Sequence, residues 1–180
     1  MSPERLAVID RLVAEGLAKK QMPGAVVVVG HRGKIVHRKA YGQKQLEPEP
    51  LPMTVDVVFD LASLTKPIAT ATSVMKLIEQ DKIELEEPVA TYLPEFAQAG
   101  KESITVYHLL THQSGMIADN ALGDYADGPV IAWQRICELK PVASPKARFI
   151  YSEVNFIILG QLVQQVTGES HQEFLESAIF

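Results

Sequence analysis

The stretch that decides the fold is FDLASLTKP, residues 59–67. It follows an apolar segment at 57–62 and precedes an amphipathic pattern that predicts a helix over 64–80. Ser63 is therefore expected where this helix begins. Pro67 is compatible with that position because the first turn of a helix has backbone N–H groups without intrahelical partners.

Two serines are followed by a lysine three positions later, Ser63 by Lys66 and Ser73 by Lys76. A chain of this composition contains about one such pair by chance, so the spacing alone carries little information. At roughly 100° per residue, Ser73 lies about 80° around the predicted helix from Ser63, and the two pairs do not share a face. Their surroundings must distinguish them.

The position of Ser63 has chemical value. The N–H groups and the positive dipole end at a helix start stabilise an oxyanion formed at a serine adduct. Lys66 lies one turn further on, where burial would lower its pKa and let the neutral amine activate Ser63. The position of the pair indicates nucleophilic catalysis. The alternative is that Ser63 only caps the helix and that Lys66 is a solvated surface residue.

Residues 1–56 predict a helix followed by a β-hairpin. Ser2 is the expected N-cap of an amphipathic first helix. The run at 25–29 is β-branched without polar alternation, which predicts a strand buried on both faces. A more polar strand at 35–41 completes the hairpin, and 47–52 is read as a Pro-rich connection.

Residues 57–180 predict a mainly helical lobe. Apolar periodicity indicates helices over 64–80, 106–112, 130–139 and 153–166. Ser152 is the expected N-cap of the last of these helices, and Gly168 is its expected stop. Ser170 and Glu173 form a capping box that opens one more helix, with no stop signal before Phe180. Together with the few partners available to a buried strand, this predicts that the fold is completed by residues beyond Phe180.

Composition excludes several classes of protein. The net charge of −5 comes without a Lys/Arg run, which argues against nucleic-acid binding. Cys137 is the single cysteine, so an internal disulfide is excluded, and its apolar surroundings predict a buried side chain. No run approaches the ~20 apolar residues of a membrane span. The chain as given predicts a cytoplasmic protein, and removal of a signal peptide would make it periplasmic or secreted.

The motifs of several other catalytic classes are missing or incomplete in the sequence. The glycine spacings of the G-x-S-x-G elbow, the Rossmann fingerprint and the Walker A loop are absent. His108 and His112 have the spacing of two zinc ligands on a helix, but Leu109 stands where a zinc protease has its glutamate. We expect packing and capping roles for both histidines, no metal site and no cofactor.

Three motifs in order carry a family resemblance: FDLASLTKP at 59–67, HLLTHQSG at 108–115 and FIYSE at 149–153. Over nearly its whole length the chain resembles penicillin-recognising serine hydrolases, namely class C β-lactamases and their esterase and DD-peptidase relatives. The resemblance implies an α/β (α+β) fold of the β-lactamase/transpeptidase type, with an antiparallel sheet flanked by helices plus an all-helical lobe. It also implies that Ser63 is the nucleophile and that Lys66 and Tyr151 share its proton transfers.

The chain departs from the family pattern at Glu153. The family's Tyr-x-Asn motif reads Tyr151-Ser152-Glu153, so a carboxylate that only accepts hydrogen bonds replaces an amide that also donates them. Asn155 lies about 200° further around a helix and is not expected to substitute. Glu153 is thus a candidate substrate-binding residue. Its carboxylate is expected to raise the pKa of Lys66. We expect the change to favour ester or short peptide-like substrates over β-lactams.

The family's third motif, a Lys or His followed by Thr/Ser and Gly on an inner strand, is expected well after Phe180, and residues 1–180 do not contain it. The resemblance therefore predicts a truncated, poorly active serine hydrolase for β-lactam, ester or D-alanyl peptide-like substrates. A non-catalytic binding protein of the same fold is the alternative. Besides a small acyl substrate, the expected partner is a C-terminal fragment or a second copy at an unpaired sheet edge.

Overall fold

The computed structural model describes residues 2–180. They form two compact units, one ending at Asp60 and the other beginning at Leu61. The sequence placed this division between residues 56 and 57. Within the described chain, the first unit holds the β-strands and one helix, whereas the second is helical.

The first unit consists of a helix and a small antiparallel sheet. Its elements are α1 (Pro3–Ala18), β1 (Gly24–His31), β2 (Lys34–Gln45) and β3 (Leu51–Pro52). Ser2 stands at the N-cap of α1 as predicted, although its side chain makes no capping hydrogen bond to the backbone. The strand order is β1-β2-β3, and β1 and β2 form a hairpin from the Gly24–Gly42 pair to the His31–Lys34 pair.

Two expectations for this unit were wrong. The first strand is not buried on both faces, since every residue of β1 is at least partly exposed and Val28 is 54% exposed. The unit has one helix to cover a three-stranded sheet, and Val13 is its single buried apolar side chain among residues 4–60. The segment 47–52 is also more than a connection, because its end pairs with β2 as β3.

The second unit consists of helices around one apolar core. Its α-helices are α2 (Thr72–Glu79), α3 (Val106–Leu110), α4 (Pro129–Glu138), α5 (Glu153–Thr167) and α6 (His171–Ala178). The apolar core of this unit draws on α2, α3, α5 and the loops between them, including Leu77, Phe96, Leu109, Ile158 and Leu162. Gly168 ends α5 in the left-handed conformation, and Ser170 with Glu173 caps α6, both as predicted.

The predicted long helix over 64–80 begins irregularly. Ala62–Leu64 is a 3₁₀ turn, Lys66–Ala71 is a π-helix, and regular α-helix starts only at Thr72. Pro67 explains the change of geometry, because it has no N–H to donate to the carbonyl of Ser63 and so cannot continue an α-helical ladder.

No helix in the described part of the chain is long and apolar enough to cross a membrane. Cys137 is buried on α4, which confirms its expected packing role.

Candidate active site

Ser63 lies in a short turn whose backbone is unusual. Ala62, the residue before it, adopts a left-handed conformation with φ 45°. This conformation is uncommon for a residue with a Cβ and costs of order 1–3 kcal/mol, and such strain clusters at functional sites. The turn presents the Ser63 side chain to two cavities. No local pattern in the sequence predicted this backbone.

Lys66 is the centre of the polar contacts around Ser63. Its side chain is buried, with 8% of the residue exposed, and its ammonium Nζ donates to Ser63 Oγ over 3.4 Å. The same nitrogen forms an ion pair with the Glu153 carboxylate and lies 5.0 Å from the centre of the Tyr151 ring. The structure thus brings all four predicted site residues, Ser63, Lys66, Tyr151 and Glu153, together around one nitrogen.

The charge of Lys66 differs from the first expectation. Burial lowers the pKa of Lys66, but hydrogen bonds to Glu153 and Tyr151 outweigh burial and leave that pKa above its ordinary value. The resting site therefore holds an ammonium, not the neutral amine expected from burial alone. The effect of Glu153 has the predicted direction.

The start of α5 places Tyr151 and Glu153. Ser152 is the N-cap, accepting from the Asn155 N–H and donating its hydroxyl to the Ile117 carbonyl at 2.7 Å. The Glu153 N–H donates to the Ala118 carbonyl. Glu153 occupies the first helical position, where the positive end of the helix dipole favours a carboxylate.

His112 contacts both Ser152 and Tyr151 at the start of α5. Its Nδ1 accepts a hydrogen bond from the Ser152 N–H at 3.0 Å, and its ring centre lies 4.6 Å from that of Tyr151. Burial, and secondarily the charge of Lys66, lowers the pKa of His112, so the ring is neutral and can accept. The sequence predicted a packing role for His112 but not this contact.

The HLLTHQSG segment is not one helix, as its histidine spacing had suggested. α3 ends at Leu110, and His112 has a left-handed backbone with φ 58°. His108 instead closes a capping box with Thr105. In the part of the chain that the structure describes, no group of three or more His, Cys, Asp or Glu side chains is arranged around a metal position.

The HLLTHQSG segment ends in glycine because the backbone at position 115 leaves no room for a side chain. The φ of Gly115 is +79°, and a Cβ there would lie 1.9 Å from the Ala143 carbonyl oxygen. Any side chain would therefore displace the loop that carries His112.

Asn155 takes no part in the site. It is fully buried, where its side-chain amide donates to the Leu109 carbonyl and its side-chain oxygen accepts from the Ser114 hydroxyl. The prediction that Asn155 does not replace the family's asparagine is confirmed.

Two cavities meet at Ser63 and Lys66. The first, of about 460 Å³, is also lined by Thr65, Thr70 and Glu153. The second, of about 610 Å³, is mostly apolar, with Leu64, Leu110 and Phe156 in its wall. A serine oxygen, a lysine nitrogen, a phenol and a carboxylate beside open volume are suited to acyl transfer with proton relay.

A family model described as Beta-lactamase matches residues 9–180. The chain belongs to the beta-lactamase family. This confirms the resemblance carried by the three motifs. The predicted fold class is also confirmed, because the octameric penicillin-binding protein homologue from Pyrococcus abyssi superposes with a TM-score of 0.80 at 28% identity. That match covers 97% of this chain and 42% of the homologue.

Two curated relatives show the range of the beta-lactamase family around this chain. It is 28% identical to the N-acetylmuramyl-L-alanine amidase of Bacillus subtilis (strain 168), across 99% of this chain and 45% of the amidase. It is 38% identical to Esterase EstB of Burkholderia gladioli, across 60% of this chain and 28% of the esterase. The chain spans about half the length of the amidase and a smaller share of the esterase.

Proposed function

We propose that Ser63 is the nucleophile of a serine hydrolase that acts through an acyl-enzyme. The observation that carries this proposal is the position of Lys66 Nζ, in contact with Ser63 Oγ and Glu153 and beside the Tyr151 ring. Membership of the beta-lactamase family, with amidase and esterase relatives, supports it. β-Lactams, esters and D-alanyl peptide-like compounds are the substrate classes.

The proposed chemistry is two acyl transfers. Neutral Lys66 accepts the Ser63 proton as Oγ bonds to the substrate carbonyl carbon, and Tyr151 passes a proton to the leaving group as its bond to that carbon breaks. A water molecule then attacks the acyl-enzyme, with Tyr151 as its general base, and Ser63 regains its proton.

Intact-mass spectrometry tests this proposal. The purified chain is incubated with p-nitrophenyl acetate and, separately, with benzylpenicillin, alongside Ser63→Ala and Ser73→Ala. We expect a covalent acyl adduct on the wild type and on Ser73→Ala, and none on Ser63→Ala. An adduct that persists in Ser63→Ala would refute the assignment of the nucleophile.

Glu153 shapes the proposed substrate preference. Its carboxylate cannot donate a hydrogen bond to a substrate carbonyl, whereas the amide of the family's asparagine can. We therefore expect esters to be hydrolysed faster than cephalosporins. Glu153→Asn restores a donor and is expected to shift the ratio toward cephalosporins. Faster turnover of a cephalosporin than of a p-nitrophenyl ester by the wild type would contradict this preference.

We also propose that the 180-residue chain alone turns over poorly. One support is length, since relatives such as the amidase are about twice as long. Another is the outer edge of β1, which pairs with no strand among residues 2–180 and offers a site for a C-terminal fragment or a second copy. Sedimentation that shows only a 19.8 kDa monomer would argue against self-association.

A non-catalytic binding protein is the second candidate function. The observation that favours it is the ion pair with Glu153, which keeps Lys66 charged and unable to accept a proton. Reversible binding of benzylpenicillin by calorimetry, without any adduct at Ser63, would favour this candidate over the hydrolase.

A further inference from the structure

The Glu153 carboxylate has acceptor capacity beyond its ion pair with Lys66. Its Oε2 is the oxygen that forms this ion pair. The side chain is 41% exposed and lines the 460 Å³ cavity that also contains Ser63. A carboxylate has about four lone-pair sites, so Glu153 can accept from a ligand while it lies beside the nucleophile.

The charge of this cavity depends on Lys66. Lys66 and Glu153 are the charged side chains in its wall, and they neutralise each other in the resting site. Lys66 can activate Ser63 only after it loses its proton, and the cavity then carries the uncompensated negative charge of Glu153. The form of the site that is competent for acylation is thus anionic and favours a cationic ligand.

We infer that Glu153 selects acyl substrates that carry an ammonium group on the carbon next to the scissile carbonyl, such as α-aminoacyl esters and amides. This inference rests on the proposed role of Ser63 as nucleophile. An α-nitrogen lies two bonds from the carbonyl carbon, so it is roughly 4 Å from the attacking oxygen. Ser63 Oγ and Glu153 both contact Lys66 Nζ and are therefore within about 6 Å of each other, a span that an α-ammonium bridges.

The ammonium of such a substrate also lowers the pKa of Lys66, the proposed base. Lys66 is faced by Ser63, Tyr151, Glu153 and the neutral ring of His112. A second cation on Glu153 weakens the hold of the carboxylate on Lys66 and repels its charge, so the pKa of Lys66 falls and a larger fraction of Lys66 has released its proton to solvent. Neutral Lys66 then takes the Ser63 proton, the Oγ–carbon bond forms and the leaving group departs.

The test compares two substrates that differ in one group. The p-nitrophenyl ester of alanine has an ammonium where p-nitrophenyl isobutyrate has a methyl, so their relative acylation rates measure the preference for the cation. The rates are measured on the 180-residue wild type, Glu153→Gln and Glu79→Gln. Glu79 is the matched control because its carboxylate pairs with Lys76 in the other Ser-x-x-Lys pair.

We expect the alanine-to-isobutyrate ratio to fall about 10- to 100-fold in Glu153→Gln, which is the range of a charge-assisted hydrogen bond, and to stay unchanged in Glu79→Gln. Comparing ratios between variants removes the intrinsic difference in reactivity of the two esters. An unchanged ratio in Glu153→Gln, with isobutyrate still acylating Ser63, overturns this inference and leaves the proposed function intact.

Calorimetry with alaninamide and isobutyramide tests the same selection in the Ser63→Ala background, where no acyl-enzyme can form. Tighter binding of alaninamide than of isobutyramide, lost when Glu153→Gln is added and kept when Glu79→Gln is added, supports the role of Glu153 even if neither ester acylates the wild type, a result that would defeat the proposed function alone. Equal binding of the two amides to Ser63→Ala overturns the inference.

Discussion

The second unit contains two Ser-x-x-Lys pairs with the same spacing and opposite surroundings. Lys66 is buried, and its ammonium contacts Ser63 and Glu153 beside two cavities. Ser73 is completely buried with its hydroxyl 3.3 Å from His171 Nε2. Lys76 points away from Ser73 to the surface, where it pairs with Glu79 at 2.7 Å. Spacing alone therefore does not make a catalytic pair.

The local backbone accounts for the difference. Ser63 lies in a 3₁₀ turn after left-handed Ala62, and Lys66 opens a π-helix whose first turn contains Pro67. Ser73 and Lys76 both lie in the regular helix α2, where the serine faces the core and the lysine faces solvent. The irregular segment is the one that brings its lysine against the start of α5.

The largest expected effect is that of replacing Lys66, with the same replacement of Lys76 as its comparison. Lys66→Met keeps the length of the side chain but removes the proposed proton acceptor, so acylation of Ser63 by p-nitrophenyl acetate should slow by about 10²- to 10⁴-fold. Lys76→Met should leave the rate within about twofold, since a surface ion pair contributes little. Stopped-flow acylation rates measure both. Equal rates for the two variants would remove the distinction between the pairs.

The sequence predicted much of the site because its motifs are local. Ser152 as an N-cap, Gly168 as a helix stop and the Ser170–Glu173 capping box each depend on a few neighbouring residues, and all three occur. The departure at Glu153 was visible for the same reason, since it lies two residues from Tyr151.

The sequence could not predict features that depend on contacts between distant segments. The hydrogen bond from Ser152 to His112 joins positions 40 residues apart. The exposure of β1 depends on how many elements pack against its sheet, which its own β-branched residues do not report. The left-handed backbone of Ala62 has no local signal either, because alanine does not favour that conformation.

A smaller effect is expected when each pair loses its carboxylate. Glu153 raises the pKa of Lys66, and the proposed acylation requires the neutral amine, so the acid limb of the acylation pH profile should move to lower pH in Glu153→Gln. At a fixed pH on that limb, acylation by p-nitrophenyl isobutyrate should be faster, about tenfold for each unit that the limb moves. The profile of Glu79→Gln should match that of the wild type. A limb that stays in place or moves to higher pH in Glu153→Gln would show that Glu153 does not hold the proton on Lys66.

The smallest effect concerns the stability that Ser73, with no expected role in acylation, contributes through His171. Ser73→Ala removes one part-buried hydrogen bond and should lower the free energy of unfolding by about 1 kcal/mol, with acylation at Ser63 retained.

Burial lowers the pKa of His171 in the folded chain, so as the pH falls through the ordinary histidine pKa the unfolded chain binds a proton first. The stability from a neutral His171 is complete above that value and declines as the pH falls. The free energy of unfolding, measured with urea, should therefore fall less between pH 8 and pH 5.5 in His171→Gln than in the wild type. His108 and His112 are present in both proteins, so their contributions cancel, and an identical loss would mean that His171 titrates equally in the folded and unfolded chain.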